Sequence, residues 1–219
     1  MLSDADFNAL FLTVQLALVT TALLLLLGIP LAWWLARTQW RFKFLLDACI
    51  ALPLVLPPTV LGFYFLLFLG PRGPFGDTGL AFTFPGLVLG SVVYSFPFVV
   101  QPIRNAFAAI PPEQLEVAST LGSTDWRRFL SVALPLAKPG ILTGTVLGFA
   151  HTLGEFGVVL MIGGNIPGST RVVSIAIYDH VESLEYANAH QLSLVLLTGS
   201  FLMLVAIYSF HRHQRTGLS

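Results

Sequence analysis

The sequence predicts an all-α integral membrane protein of about five transmembrane helices, with its N-terminus outside and its C-terminus in the cytoplasm. Three observations predict it. Hydrophobic residues make up 55% of the 219 and charged residues only 10%, where a soluble domain carries roughly 25% charged. The apolar residues gather in about five runs, each near the ~20 helical residues needed to cross a hydrocarbon core of about 30 Å. The basic residues fall almost entirely on one side of those runs.

The runs lie at about 10–36, 44–69, 85–107, 136–162 and 192–210, within a single transmembrane domain over 1–219. The N-terminal stretch MLSDADFNAL carries Asp4 and Asp6 and no basic residue, so it lacks the positive region of a signal peptide, and the first run is expected to be retained. The second run holds Cys49 within LDACIALP, where buried packing is the expected role. It also holds Pro53, Pro57 and Pro58. Prolines remove backbone donors, and at membrane depth the freed carbonyls must face protein or a water-lined cavity. Pro57 and Pro58 are therefore candidates for a pore or gate, with a packed kink as the alternative.

The third and fourth runs carry Gly86 with Gly90 and Gly144 with Gly148, a spacing that permits close helix contact. The fourth also carries the acid Glu155, four residues after His151 and flanked by Gly154 and Gly157. An ionised carboxylate at this depth is costly unless paired or hydrated. In a continuous helix His151 and Glu155 would share a face and could satisfy each other; contact with substrate and proton relay are the other readings. Residues 163–191 are too polar to span, with Asn165, Asp179, His180, Glu182 and Glu185, and are expected to form an external turn plus a short helix or re-entrant piece. Pore or gate candidates are thus Pro57, Pro58, His151, Gly154, Glu155, Gly157 and Asn165.

Placing the N-terminus outside puts Arg37, Arg41, Lys43, Arg104, Arg127, Arg128, Lys138, Arg212 and Arg215 on the inner side and leaves Arg72 and Arg171 outside. Nine against two sets the orientation. It also places in the cytoplasm the one long polar, helix-forming segment, 111–135. There Pro111 and Pro112 suit a helix start, Glu113 and Glu116 complement its positive end, and Gly122 interrupts before Ser123-Thr124-Asp125 offers a second N-cap. Two short helices joined by a glycine bend are expected.

Glu116, Ala118 and Gly122, followed at the right distance by Val132, Leu134 and Pro135, resemble the EAA loop of ABC importer permeases. Val117 and Val132 stand where that pattern has Ala and Ile. The stretch FAHTLGEFG, with Gly163-Gly164-Asn165-Ile166-Pro167-Gly168, Thr170-Arg171 and Ala176-Ile177-Tyr178, is similar to the molybdate, tungstate and sulfate branch, its molybdate members above all. His151 stands where sulfate permeases tend to carry Arg. The resemblance implies the type I ABC importer permease architecture in the cell membrane, working as a homodimer over two copies of a cytoplasmic ATPase. It further implies an extracytoplasmic molybdate-binding protein that delivers cargo. The loop would dock on the ATPase through Glu113, Gln114, Glu116, Ala118, Ser119, Gly122, Leu134 and Pro135. Arg127 and Arg128 would meet membrane lipid headgroups or acids of the ATPase.

No phosphate-binding GxxxxGK[ST] pattern occurs, nor HExxH, GxSxG or CxxC. This chain is therefore expected to bind no cofactor or metal and to catalyse nothing, with ATP and Mg held by the separate ATPase. A net charge of +0 argues against nucleic acid. The competing reading is a proton-coupled carrier that titrates Glu155.

Overall fold

A computed structural model describes residues 2–216, with side chains described through Val205. The end of the last expected span, with His211, Arg212, His213 and Arg215, has side chains outside those described. The helices in chain order are α1 (Asp4–Arg37), α2 (Lys43–Val55), α3 (Pro58–Leu69), α4 (Phe84–Ala108), α5 (Pro112–Thr120), α6 (Asp125–Arg128), α7 (Leu134–Leu136), α8 (Lys138–Leu153), α9 (Gly157–Gly163), α10 (Val173–Glu182) and α11 (Tyr186–Thr216).

Among the described residues three helices are long and apolar enough to cross a membrane alone: α1, α4 and α11 over Tyr186–Val205. Two further helix pairs are bent by more than 40° and bring the total to five when each is counted as one span, so the expected number of about five is reached while two of the expected straight runs are not. The run expected at 44–69 is broken into α2 and α3, which meet at 110°. Leu56 and Pro57 are both extended there, at ψ 135° and 137°. The steric clash of a proline ring with the preceding residue forces that conformation, and Pro57 imposes it on Leu56 as Pro58 does on Pro57. The run expected at 136–162 is likewise not one helix. Lys138–Leu153 is bent by 70° from Asp125–Leu136, and at its outer end Gly154, Glu155 and Phe156 leave helical geometry before α9 begins.

α1 is anchored at its outer end by a capping box: Ser3 Oγ accepts from the Asp6 nitrogen while the Asp6 carboxylate accepts from the Ser3 nitrogen. At its inner end the Arg37 guanidinium donates to the carbonyls of Phe107 (3.2 Å) and Ile110 (3.3 Å), satisfying acceptors at the end of α4 that no helix continues to serve. Between these ends α1, α4 and the segment leading into α8 enclose a core of Leu24, Leu35, Val99, Ile103, Phe107 and Ala133. The glycine pairs act as expected in packing. A Cβ at Gly144 would come within 2.9 Å of the Val99 carbonyl, and one at Gly148 would strike the Val99 side chain.

On the outer side α10 inserts Val173 and Ala176 beside Ala9 of α1 and Leu192 of α11. It is the short helix expected after the fourth span. Large apolar side chains of α2, α3 and α11 stay exposed, among them Leu45, Leu52, Phe63, Leu197 and Phe201, as befits faces that meet acyl chains or another subunit. Cys49 is exposed on α2, contrary to the packing expected of it. Only Pro53 of that helix is buried, so the helix has little interior face to offer a thiol.

Candidate functional site: a cytoplasmic helix and two broken spans

α5 is polar on one side and anchored on the other. Glu113, Gln114, Glu116 and Val117 are exposed, whereas Leu115 packs on the inner core and Ala118 and Ser119 are half-buried. The helix ends in a Schellman motif: the Ser123 nitrogen donates to the Ala118 carbonyl (3.1 Å) and the Gly122 nitrogen to that of Ser119 (2.9 Å). That motif requires a left-handed residue, and Gly122 supplies it at φ +79°. The spacing of Ala118, Ser119 and Gly122 is thus the spacing of a helix stop.

The second helix of the loop is tied back to the first. Thr124 caps α6 through its hydroxyl. The Arg128 guanidinium donates to the Asp125 carboxylate and to Ser119 Oγ, which itself donates to the Leu115 carbonyl (2.9 Å). Arg128 is therefore engaged inside the loop, and Arg127 is the more exposed member of the pair. After α6 the chain makes one π turn over Phe129–Ala133, closed by the Leu134 nitrogen on the Phe129 carbonyl. Pro135 explains the widening, since its ring would strike the carbonyl four residues back in a regular helix. Leu134 then packs on the inner core.

Phe129 carries the loop into the membrane bundle. It is buried, with its ring centroid 5.6 Å from that of Trp33 on α1 and 6.1 Å from that of Phe107 on α4. Trp33, Phe129 and Arg37 were not expected at the site, although Trp33 and Arg37 sit where a span meets the cytoplasm, the usual place for such anchors.

At membrane depth the two breaks are brought together. Gly157, at the start of α9, abuts Pro58 at the start of α3, and Gly62 abuts Met161 further along the same crossing. Pro57 is the N-cap of α3 and so belongs to this contact region. His151 and Glu155, in contrast, are not paired. α8 ends at Leu153, so Glu155 does not lie one turn further along a helix. The His151 ring turns to α4, sharing a hydrogen bond of 2.9 Å with Ser95 Oγ and stacking on Phe98 at 3.9 Å. Ser95 also lies 3.2 Å from Thr152 Oγ1.

Glu155 is 4% exposed, and its carbonyl accepts from Ser174 Oγ of α10 at 2.6 Å. Gly154 is exposed, and a Cβ there would have only carbonyls of its own helix within 4 Å. Asn165 is exposed in the outer loop, apart from the other candidates. Nearer the cytoplasm, Arg104 of α4 pairs with Asp47 of α2 at 2.6 Å beside a polar pocket of about 290 Å³ that Gln101 and Asn105 also line. Among the described residues no group of His, Cys, Asp and Glu could hold a metal ion.

The description of binding-protein-dependent transport system inner membrane components matches residues 28–216. The molybdenum transport system permease protein ModB of Azotobacter vinelandii is 57% identical over 225 residues, covering 100% of this chain and 99% of that protein. Its namesake in Escherichia coli (strain K12) is 40% identical over 190 residues, covering 84% of this chain and 83% of that one. The sulfate transport system permease protein CysT of the same strain is 34% identical over 186 residues, covering 82% and 67%. Among solved structures, a bacterial alginate ABC transporter in complex with alginate pentasaccharide-bound periplasmic protein superposes at TM-score 0.79 and 17% identity, covering 96% of this chain and 80% of that one. The MetNI methionine ABC transporter in inward facing conformations gives 0.75 and 16%, covering 94% of each. At such identities these two show the fold alone. The matched residues run from the middle of α1 through the loop and both breaks into α11, and the chain belongs to the family of binding-protein-dependent transport system inner membrane components.

Proposed function

We propose that this chain is the membrane-spanning permease subunit of an ATP-driven oxyanion importer whose cargo is molybdate, with tungstate as the close chemical alternative. One observation carries the reading. At the cytoplasmic end a helix with Glu113, Gln114 and Glu116 exposed is fixed from behind by Leu115, by its glycine cap and by Arg128, the form a rigid docking element takes. Two copies of the chain would form the pore, two copies of a separate ATPase would bind beneath them with ATP and Mg, and an extracytoplasmic protein would deliver the anion. The cargo follows the names of relatives that cover the chain at 57% and 40% identity.

This chain's part is mechanical. ATP-driven closure of the ATPases would move α5, and Arg128 and Phe129 would carry the displacement to Trp33 on α1 and Phe107 on α4. The bends at Pro57-Pro58 and at Gly154 to Phe156, which share a contact, would serve as the joints of alternating access. Sulfate is the second reading, favoured by the 34% identical sulfate permease.

The test is uptake into proteoliposomes that contain this chain with its ATPase and binding protein. Molybdate uptake that needs ATP, persists in excess sulfate and fails in Gly122→Val is the expected result. Uptake indifferent to ATP and to Gly122 would instead favour a proton-driven carrier.

A further inference from the structure

Two acidic side chains are buried among the described residues, Asp6 and Glu155. Asp6 faces His180 at the outer surface. Glu155 faces no cation, and neither of its carboxyl oxygens has a hydrogen-bond partner among the described residues. Ser91 of α4 lies beside the carboxyl group, outside hydrogen-bond geometry, and its hydroxyl is likewise unpartnered. The residue is held from two sides: its nitrogen donates to the Thr152 carbonyl at 3.3 Å and its own carbonyl accepts from Ser174.

Tyr94 on α4 is close enough to interact with its charge, and His151 stands four residues earlier, on α8. His151 has its Nδ1 committed to Ser95 and its ring flanked by Phe98 and Tyr94. On α10, Tyr178 is turned to Glu182. The acid therefore sits beside the Ser91 hydroxyl with no positive charge recorded against it among the described residues. A stranded anion at membrane depth costs far more than any neutral polar group.

We propose that Glu155 and Ser91 form a binding site for one small positive charge, a proton or a bare alkali cation, held by the Glu155 carboxyl group with Ser91 Oγ. The charge stays in place through the transport cycle and neutralises the acid where the fourth span is broken. It is a structural constituent of the joint and is not cargo.

The full-length chain in lipid nanodiscs supplies the test, by infrared difference spectra between parent and Glu155→Gln taken in sodium, potassium or N-methylglucamine buffer at neutral pH. A proton predicts the carbonyl stretch of a protonated carboxyl group in all three buffers, lost in Glu155→Gln and shifted in Glu155→Asp. An alkali ion predicts an ionised carboxylate band in sodium or potassium, with a rise in melting temperature that the glutamine form does not show. An ionised carboxylate in N-methylglucamine with no cation effect on melting overturns the proposal. Because this readout uses no cargo, it stands apart from the reading of the chain as a molybdate permease. In proteoliposomes a held charge predicts that uptake by the parent does not respond to an imposed pH gradient; uptake that follows the gradient would overturn the claim that the charge is static.

Discussion

Gly157 lies directly against Pro58, so that a Cβ at Gly157 would come within 2.8 Å of Pro58 Cβ and 3.2 Å of the Thr59 nitrogen. The broken second span and the broken fourth span thereby share one contact at membrane depth. Neither neighbour can yield, since one is a proline ring and the other is backbone. Gly157→Ala is expected to cost about 1–3 kcal/mol through overpacking and to slow uptake. Gly154→Ala is the control, since its nearest foreign atom would be at 3.9 Å in its own helix, and it should change stability by no more than about 0.5 kcal/mol. Melting temperatures and uptake rates of the two forms check the contrast.

Gly122 makes the opposite case, with open space around it and a demand on its backbone. At φ +79° nothing lies within 4 Å of a Cβ placed there, so any penalty for a side chain is conformational. A β-branched residue in left-handed geometry costs roughly 1–2 kcal/mol, and it would fall on the cap that ends α5. Gly122→Val should therefore leave the melting of the membrane bundle unchanged while the chain loses its ATPase in co-purification. Gly122→Asn, which tolerates that geometry, should retain most of it.

Phe129 links what docks to what moves. Its ring sits among Trp33 and Phe107, and Phe129→Ala in such packing loses up to about 3–5 kcal/mol. The outward face of α5 would be untouched, so ATPase binding should persist. The expected phenotype is uncoupling, with ATP hydrolysed but fewer anions moved per ATP. Simultaneous measurement of phosphate release and uptake checks it; a parallel fall in both would place Phe129 in docking instead.

Much of this architecture was legible in the residues. Run length located the candidate spans, and Glu113 to Gly122 announced a capped helix, because caps and dipoles are local effects. What failed was non-local. The proline pair marked a break in the second span, yet nothing in the sequence says that Gly157 would be its partner, since that contact depends on how α3 and α9 cross. The expected pairing of His151 with Glu155 assumed an unbroken helix; Gly154 ends α8 first, and Ser95 and Phe98 claim the imidazole. Arg128 reads from the sequence as a partner for lipid headgroups or ATPase acids, because a loop on a membrane carries such residues; the Ser119 contact is what draws it inward, and a π turn begins at the buried Phe129.

The outer face offers a test by pH. His180 of α10 lies with Nε2 2.9 Å from Asp6 of α1 and Nδ1 2.8 Å from Glu185, and two carboxylate acceptors leave both ring nitrogens to carry protons. The hydrogen bond to Asp6 raises the imidazolium above its ordinary value of 6.5, with burial opposing and Glu185 assisting. Glu185 is lowered from 4.5, first by the Asn188 amide and then by His180. A group raised on folding contributes stability that is full below its unfolded value and lost as pH climbs through the folded one; a lowered carboxyl behaves in the opposite sense. The contact should thus be strongest between about 4.5 and 6.5. It should weaken first on the alkaline side, as His180 gives up its proton, and α1 should then loosen from the corner between α10 and α11. His180→Asn removes the titration. The melting temperature of the parent minus that of this form should be greatest in the window and should shrink as pH rises through the raised value of His180. A difference that stays flat with pH would mean that the imidazole is neutral in the fold and that the Asp6 contact is an ordinary hydrogen bond.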